Sequence, residues 1–148
     1  MLNLPNDIAG IAGEYFVAGE LSKRGFNVSL TIRNSKGIDI HASKLENNKI
    51  FAIQVKTSKE KKAKWILNKK SETIYNQNFF YIFVLLNDIN QYPCYYIVPS
   101  LDLANCIKKD HQNWLEKPSK NGLGHKDNDI RNFVDVDNKY FERWDLLI

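Results

Sequence analysis

The chain has 148 residues, 43% hydrophobic and 26% charged, which suits a single folded domain over 1–148 and excludes disordered, collagen-like and fibrous classes. No apolar run nears the roughly 20 residues of a membrane-spanning helix. Met1 to Gly13 shows no basic stretch ahead of an apolar core, so a cytoplasmic protein without a secretory signal is expected. Basic residues exceed acidic ones by 21 to 17, and the surplus is local. Six lysines (59, 61, 62, 64, 69 and 70) face one acid, Glu60, so this segment carries +5 and the remainder −1. Such a stretch suits a polyanion, most simply nucleic acid; the alternative is a solvated lysine-rich face. Cys94 and Cys106 form no CxxC pattern and read as reduced thiols.

Asn6 or Asp7 is placed to cap a helix running to about Arg24 and stopped by Gly25. Its expected apolar arc is Ile8, Ile11, Ala12, Tyr15, Ala18 and Leu21, with Glu14 inside it. A carboxylate on a core-facing stripe is costly to desolvate unless it is paired, so Glu14 is expected to point toward the sheet. Phe26 to Arg33 alternates as a half-buried strand, and Asn34 to Gly37 makes a turn. Ile38 to Ala42 and Lys49 to Thr57 follow as strands around an Asn47-Asn48 turn, giving an antiparallel meander. Trp65 to Asn76 reads as partly helical. Phe79 to Asn87 and Tyr92 to Val98 read as a hairpin around residues 87–90, and Pro99-Ser100 opens a helix through Trp114. Residues 117–129 read as loop, and Lys139 to Leu147 as a short element docking Tyr140, Trp144 and Leu147. The fold class is α/β or α+β, a mixed sheet flanked by helices.

Alternation places Phe51, Ile53 and Val55 on one side of their strand, with Gln54 and Lys56 together on the other. Asp39 and His41 likewise oppose Ile38 and Ile40. Pairing through the Asn47-Asn48 turn sets Asp39 beside Gln54 and Lys56, and a packed helix adds Glu14. Oxygen ligands of this kind suit a hard ion such as Mg²⁺, which keeps several waters and accepts phosphate oxygens. An adjacent lysine helps activate a water or stabilise the phosphoryl transition state.

The stretch GEYFVAGELSKRGFNV, then NSKGIDI, then FAIQVKTS, together covering Gly13 to Ser58, resembles the core of the PD-(D/E)XK nuclease superfamily, which includes restriction endonucleases and archaeal Holliday junction resolvases. The resemblance implies a restriction endonuclease-like mixed sheet in α-β-β-β-α-β order. It implies a Mg²⁺- or Mn²⁺-dependent deoxyribonuclease with DNA as partner, and it admits a homodimer. The catalytic positions fall on Glu14, Asp39, Gln54 and Lys56, with metal ligands from Asp39, Gln54 and the Val55 carbonyl. Ile38 stands where the nominal motif has proline, which supplies no ligand. Gln54 replaces the usual acid; its amide oxygen still coordinates Mg²⁺ but removes one negative charge, so metal affinity should fall.

Lys36, Thr57, Lys59, Lys61, Lys62 and Lys64 are the expected phosphate contacts, with Ser35 beside them. Trp65 among lysines fits either a nucleic-acid grip or a hydrophobic anchor. His41 is a neighbour of the site, whereas His111 and His125 lack metal-ligand spacing. No GxxxxGK[ST] or GxGxxG loop is present. Two alternatives stand beside a nuclease: a catalytically weak or inactive nucleic-acid-binding module of the same fold, and an interaction protein of a defence or anti-restriction system using Tyr92, Tyr95 and Tyr96.

Overall fold

Gly25, at φ +84°, ends the first helix where the sequence places its stop, because glycine enters the left-handed region without a Cβ penalty. The computed structural model describes residues 3–32 and 37–148. In chain order it contains α1 (Asn6–Lys23), β1 (Phe26–Leu30), β2 (Ile40–Lys44), β3 (Ile50–Ser58), β4 (Lys64–Asn68), a 3-10 turn (Lys69–Glu72), β5 (Phe79–Leu85), β6 (Cys94–Pro99), α2 (Ser100–Glu116), β7 (Ile130–Val134) and a second 3-10 turn (Trp144–Leu146).

Five strands form one sheet in the order β1-β2-β3-β5-β6, antiparallel except for the parallel β3–β5 pair. The expected meander and hairpin are both present. Asn48 (φ 54°) and Asn90 (φ 72°) take the left-handed conformation in the β2–β3 and β5–β6 loops, as asparagine tolerates. α1 covers one face over Phe51, Ile53, Val55, Phe80 and Ile82. The other face holds Phe79, Tyr81 and Phe83 under a second layer made by β4, β7 and α2. β5 is therefore buried on both sides, which explains its unbroken apolar run. Each fully buried side chain of this size contributes about 1.5–3 kcal/mol.

The sequence reading needs correction at several elements. Neither Asn6 nor Asp7 caps α1; the N-cap residue is Pro5, with no side-chain cap bond. The buried stripe of α1 is Ala9, Gly13, Val17 and Leu21, whereas Tyr15 is 65% exposed and Ile8 45%. Close approach, rather than side-chain bulk, sets this face. A Cβ on Gly13 would lie 1.9 Å from Thr57 Oγ1, so only glycine lets α1 settle onto β3 here. Residues 64–68 form a strand instead of the expected helix, and no α-helix links β3 to β5 among the described residues. Pairing with β7 overrides local propensity, and the burial of β4 alternates around Trp65 and Leu67. Trp65 is an anchor: it is buried, packs against Phe83, Tyr96 and Phe133, and donates from Nε1 to the Val84 carbonyl at 3.2 Å.

Arg131 on β7 is buried and paired with Glu72, and its Nη1 donates to the Asn128 carbonyl at 2.6 Å. This ties the first 3-10 turn to β7. His111 on α2 meets Asp127 at 2.7 Å, and Trp114 stacks on His125 at 4.1 Å, fastening the 117–129 loop. Tyr140, Trp144 and Leu147 dock into the core as expected. Neither cysteine is disulfide-bonded. No helix among the described residues is long and apolar enough to cross a membrane.

Candidate functional site

The centre of the site is a departure from strand pairing. In β2 and β3, Ile40 lies opposite Ile53, a register that sets Asp39 opposite Gln54 just before β2 begins. The Asp39 N–H donates to the Ile53 carbonyl at 2.9 Å. The Val55 N–H, which has no β2 carbonyl to meet, donates to Asp39 Oδ2 at 2.7 Å. The Asp39 side chain thus continues the ladder where the backbone has turned away. Thr31 fixes the segment from the other side: its N–H donates to the Asp39 carbonyl at 2.9 Å and its Oγ1 to the Ile38 carbonyl at 2.6 Å.

Burial raises the Asp39 pKa, while the Val55 N–H and the Lys56 ammonium partly offset it. Gln54 and Lys56, on the same sheet face, line one cleft with His41, Ile38 and Gly37. A second groove, about 580 Å³ in volume, begins at Lys56 and runs past Asn6 and Ala9 of α1 to Lys59 and Lys64. Lys56 stands where the two meet. In an extended chain the N–H and C=O of one residue leave the same edge, so the Val55 carbonyl points to the Asp39 side. A carboxylate, an amide oxygen and a carbonyl are the oxygen donors that Asp39, Gln54 and Val55 could offer a hard ion such as Mg²⁺, which binds through few protein oxygens and retains waters. Among the described residues no three His, Cys, Asp or Glu side chains cluster around a possible ion.

Glu14 is half-buried on α1, directly after the Gly13–Thr57 contact and across the sheet from the face carrying Gln54 and Lys56. The expected phosphate contacts divide. Lys61, Lys62 and Lys64 are exposed at the turn into β4. Lys59 is half-buried, with its Nζ bonded to the Leu4 carbonyl. Lys36 and Ser35 lie outside the described residues. Thr57 lines the groove beside Lys56 and Lys59, with its Oγ1 buried against Gly13 and without a hydrogen-bond partner. Lys70, from the lysine-rich segment expected to meet a polyanion, lines the cleft together with Tyr75 and Asn78, which the sequence does not single out. The Asn-rich run from Tyr75 to Asn78 carries a loop signal that the expected helix overrides.

Over 97% of this chain and 91% of the other, the structure is similar to that of a bacterial homing endonuclease, I-Ssp6803I, with a TM-score of 0.56 at 14% identity. The chain has a restriction endonuclease-like fold. A weaker similarity is to the Holliday junction resolvase Hjc of Archaeoglobus fulgidus, at a TM-score of 0.42 and 13% identity over 80% of this chain and 85% of that chain. No protein-family model and no curated protein matches the sequence.

Proposed function

We propose that the chain is a Mg²⁺- or Mn²⁺-dependent endonuclease that hydrolyses DNA phosphodiester bonds. The observation that carries this reading is the Asp39 carboxylate, held by the Val55 N–H at the parting of β2 and β3, opposite Gln54 and next to Lys56. A desolvated carboxylate with no full counterion is unfavourable in an apoprotein, and a cation relieves that cost. The shared fold with a homing endonuclease supports the same chemistry.

Asp39, the Gln54 amide oxygen and the Val55 carbonyl would hold the ion. When bound, the metal supplies Lewis-acid polarisation of the scissile phosphate and lowers the pKa of water. Lys56 directs its ammonium to a non-bridging phosphate oxygen or to the attacking water, where it stabilises the negative charge that grows in the transition state. Glu14 sits on the α1 side of the sheet, away from the face carrying Gln54 and Lys56, so the proposed ion rests on Asp39, Gln54 and the Val55 carbonyl. Lys61, Lys62 and Lys64 bind the flanking phosphates along the groove that starts at Lys56, giving affinity without sequence preference.

Incubation with supercoiled plasmid and Mg²⁺, Mn²⁺ or EDTA tests this. Nicking that needs metal and is lost in both Asp39→Asn and Lys56→Ala is expected. DNA binding with no cleavage in either metal would leave the non-catalytic binding module as the correct reading.

A further inference from the structure

The cleft that Gln54 and Lys56 open onto is larger than a metal and one phosphate require. Its volume is about 600 Å³, within the roughly 300–1,000 Å³ of sites that enclose small organic ligands. Its floor is apolar, formed by Ala52, Leu67, Phe79 and Tyr81. Its rim leaves large apolar groups in solvent: Ile50 is 58% exposed, Ile74 53% and Tyr75 54%. Among the described residues no acidic side chain lines it, whereas Lys56, Lys70 and His41 do. An apolar floor under a cationic, acid-free rim suits a flat organic group carrying a phosphate.

The far wall is built rather than loose. The Asn76 N–H donates to Ser100 Oγ, which donates back to the Asn76 carbonyl, both at 3.0 Å. The Asn78 carbonyl accepts from Ala52 N–H at 2.9 Å, and Thr73 Oγ1 donates to the Lys70 carbonyl at 3.1 Å. Tyr75 is thereby held at the mouth by a loop anchored to β3 and α2. The Asn78 side chain adds amide groups suited to a base edge.

We infer that this cleft is a nucleobase pocket, receiving one base turned out of the DNA stack next to the phosphate at Lys56. This rests on the nuclease reading for where that phosphate lies. Tyr75 supplies the stacking surface, Asn78 meets the base edge, and Lys70 faces the adjoining phosphate. A peptide is a poorer fit, since the Gln54–Lys56 wall already belongs to phosphate chemistry and cations dominate the rim.

The test is equilibrium binding in EDTA, where no cleavage occurs, to three labelled duplexes: fully paired, with a single-base bulge, and with an abasic bulge. The base bulge is expected to bind about tenfold tighter than the paired duplex, the scale of one base–aromatic stack, and the abasic bulge to lose most of that gain. Tyr75→Ala should bring the bulge-to-paired ratio close to one, and Tyr75→Phe should retain it. Tyr75 is more than half exposed, so neither substitution threatens folding. Equal affinity of wild type for bulged and paired duplex, or a ratio untouched by Tyr75→Ala, would overturn the pocket. Plasmid nicking is read separately: nicking without a bulge preference overturns the pocket alone, and a Tyr75-dependent preference without nicking supports the pocket while removing the nuclease.

Discussion

Replacing Asp39 separates the two structural demands on that residue, accepting the Val55 N–H and carrying a charge. Asparagine keeps an acceptor oxygen for the 2.7 Å bond from Val55 and removes the charge. Because burial holds the Asp39 pKa above its ordinary value, the folded state binds protons more readily than the unfolded one. Its stabilising contribution is complete below the unfolded pKa and is lost as pH rises through the folded one. At pH 7 the ionised carboxylate is therefore a net cost that asparagine avoids, and Asp39→Asn should melt at or above the wild-type temperature. Alanine leaves the partly buried Val55 N–H without its acceptor, a penalty of about 1–3 kcal/mol. At about 2–4 °C per kcal/mol for a chain of this size, Asp39→Ala should melt several degrees below Asp39→Asn. Thermal unfolding of the three proteins by circular dichroism at pH 7 measures this, and the wild-type deficit against Asp39→Asn should shrink in acid as the carboxylate protonates. Equal melting of the alanine and asparagine variants would refute the role given to the Val55 bond. An asparagine variant clearly less stable than wild type at pH 7 would refute the desolvation reasoning.

Gly13→Ala, which sets a Cβ 1.9 Å from Thr57 Oγ1, should destabilise by about 1–3 kcal/mol, and Thr57→Ala should recover part of that loss in a double-mutant cycle read by urea unfolding. The triple variant Lys61→Ala, Lys62→Ala, Lys64→Ala should lower the salt slope of duplex binding by about 0.9 for each phosphate that a lysine no longer neutralises; an unchanged slope returns these lysines to a solvated face. The hydrogen bond from His111 holds Asp127 below the usual carboxylate range, so its contribution is present above about pH 4 and disappears as acid titrates the folded group. Proton NMR of the His125 ring, stacked on Trp114, should show the 117–129 loop loosening in that acid range but not at pH 6. Glu72→Gln should destabilise by about 3–5 kcal/mol by leaving the buried Arg131 without its counter-charge, measured by chemical denaturation.

The elements legible from sequence are those where local signals and tertiary packing agree. Alternation in β3 assigns Gln54 and Lys56 to one face, and the short turn after β2 fixes the register that brings Asp39 to them. The resemblance over Gly13 to Ser58 points to the same grouping. Where long-range partners decide, the sequence is less informative. β4 is a strand because β7 lies beside it, and β7 itself is hidden because one of its inward residues is Arg131, an ion-paired core position that reads as polar surface. The packed face of α1 is hard to read because apolar residues surround this helix and the buried stripe begins at Ala9 and Gly13.

The division of the chain between two layers has a kinetic consequence. β2 with β3, and β5 with β6, are each joined by local connections, so each pair can assemble from neighbouring residues. The β4–β7 pair joins Lys64–Asn68 to Ile130–Val134, and closing so long a loop is entropically slow. The cleft beside Lys56 takes Leu67 from β4 and Lys70 and Tyr75 from the segment after it, whereas Asp39 and Gln54 belong to the β2–β3 piece, expected to assemble earlier. Partial unfolding of the β4–β7 layer would dismantle the pocket and leave the Asp39 carboxylate in place. Native-state amide exchange should then show the β4–β7 bonds opening at lower free energy than those of β3 and β5, so the cleft and the Asp39 carboxylate should have separate thermal limits.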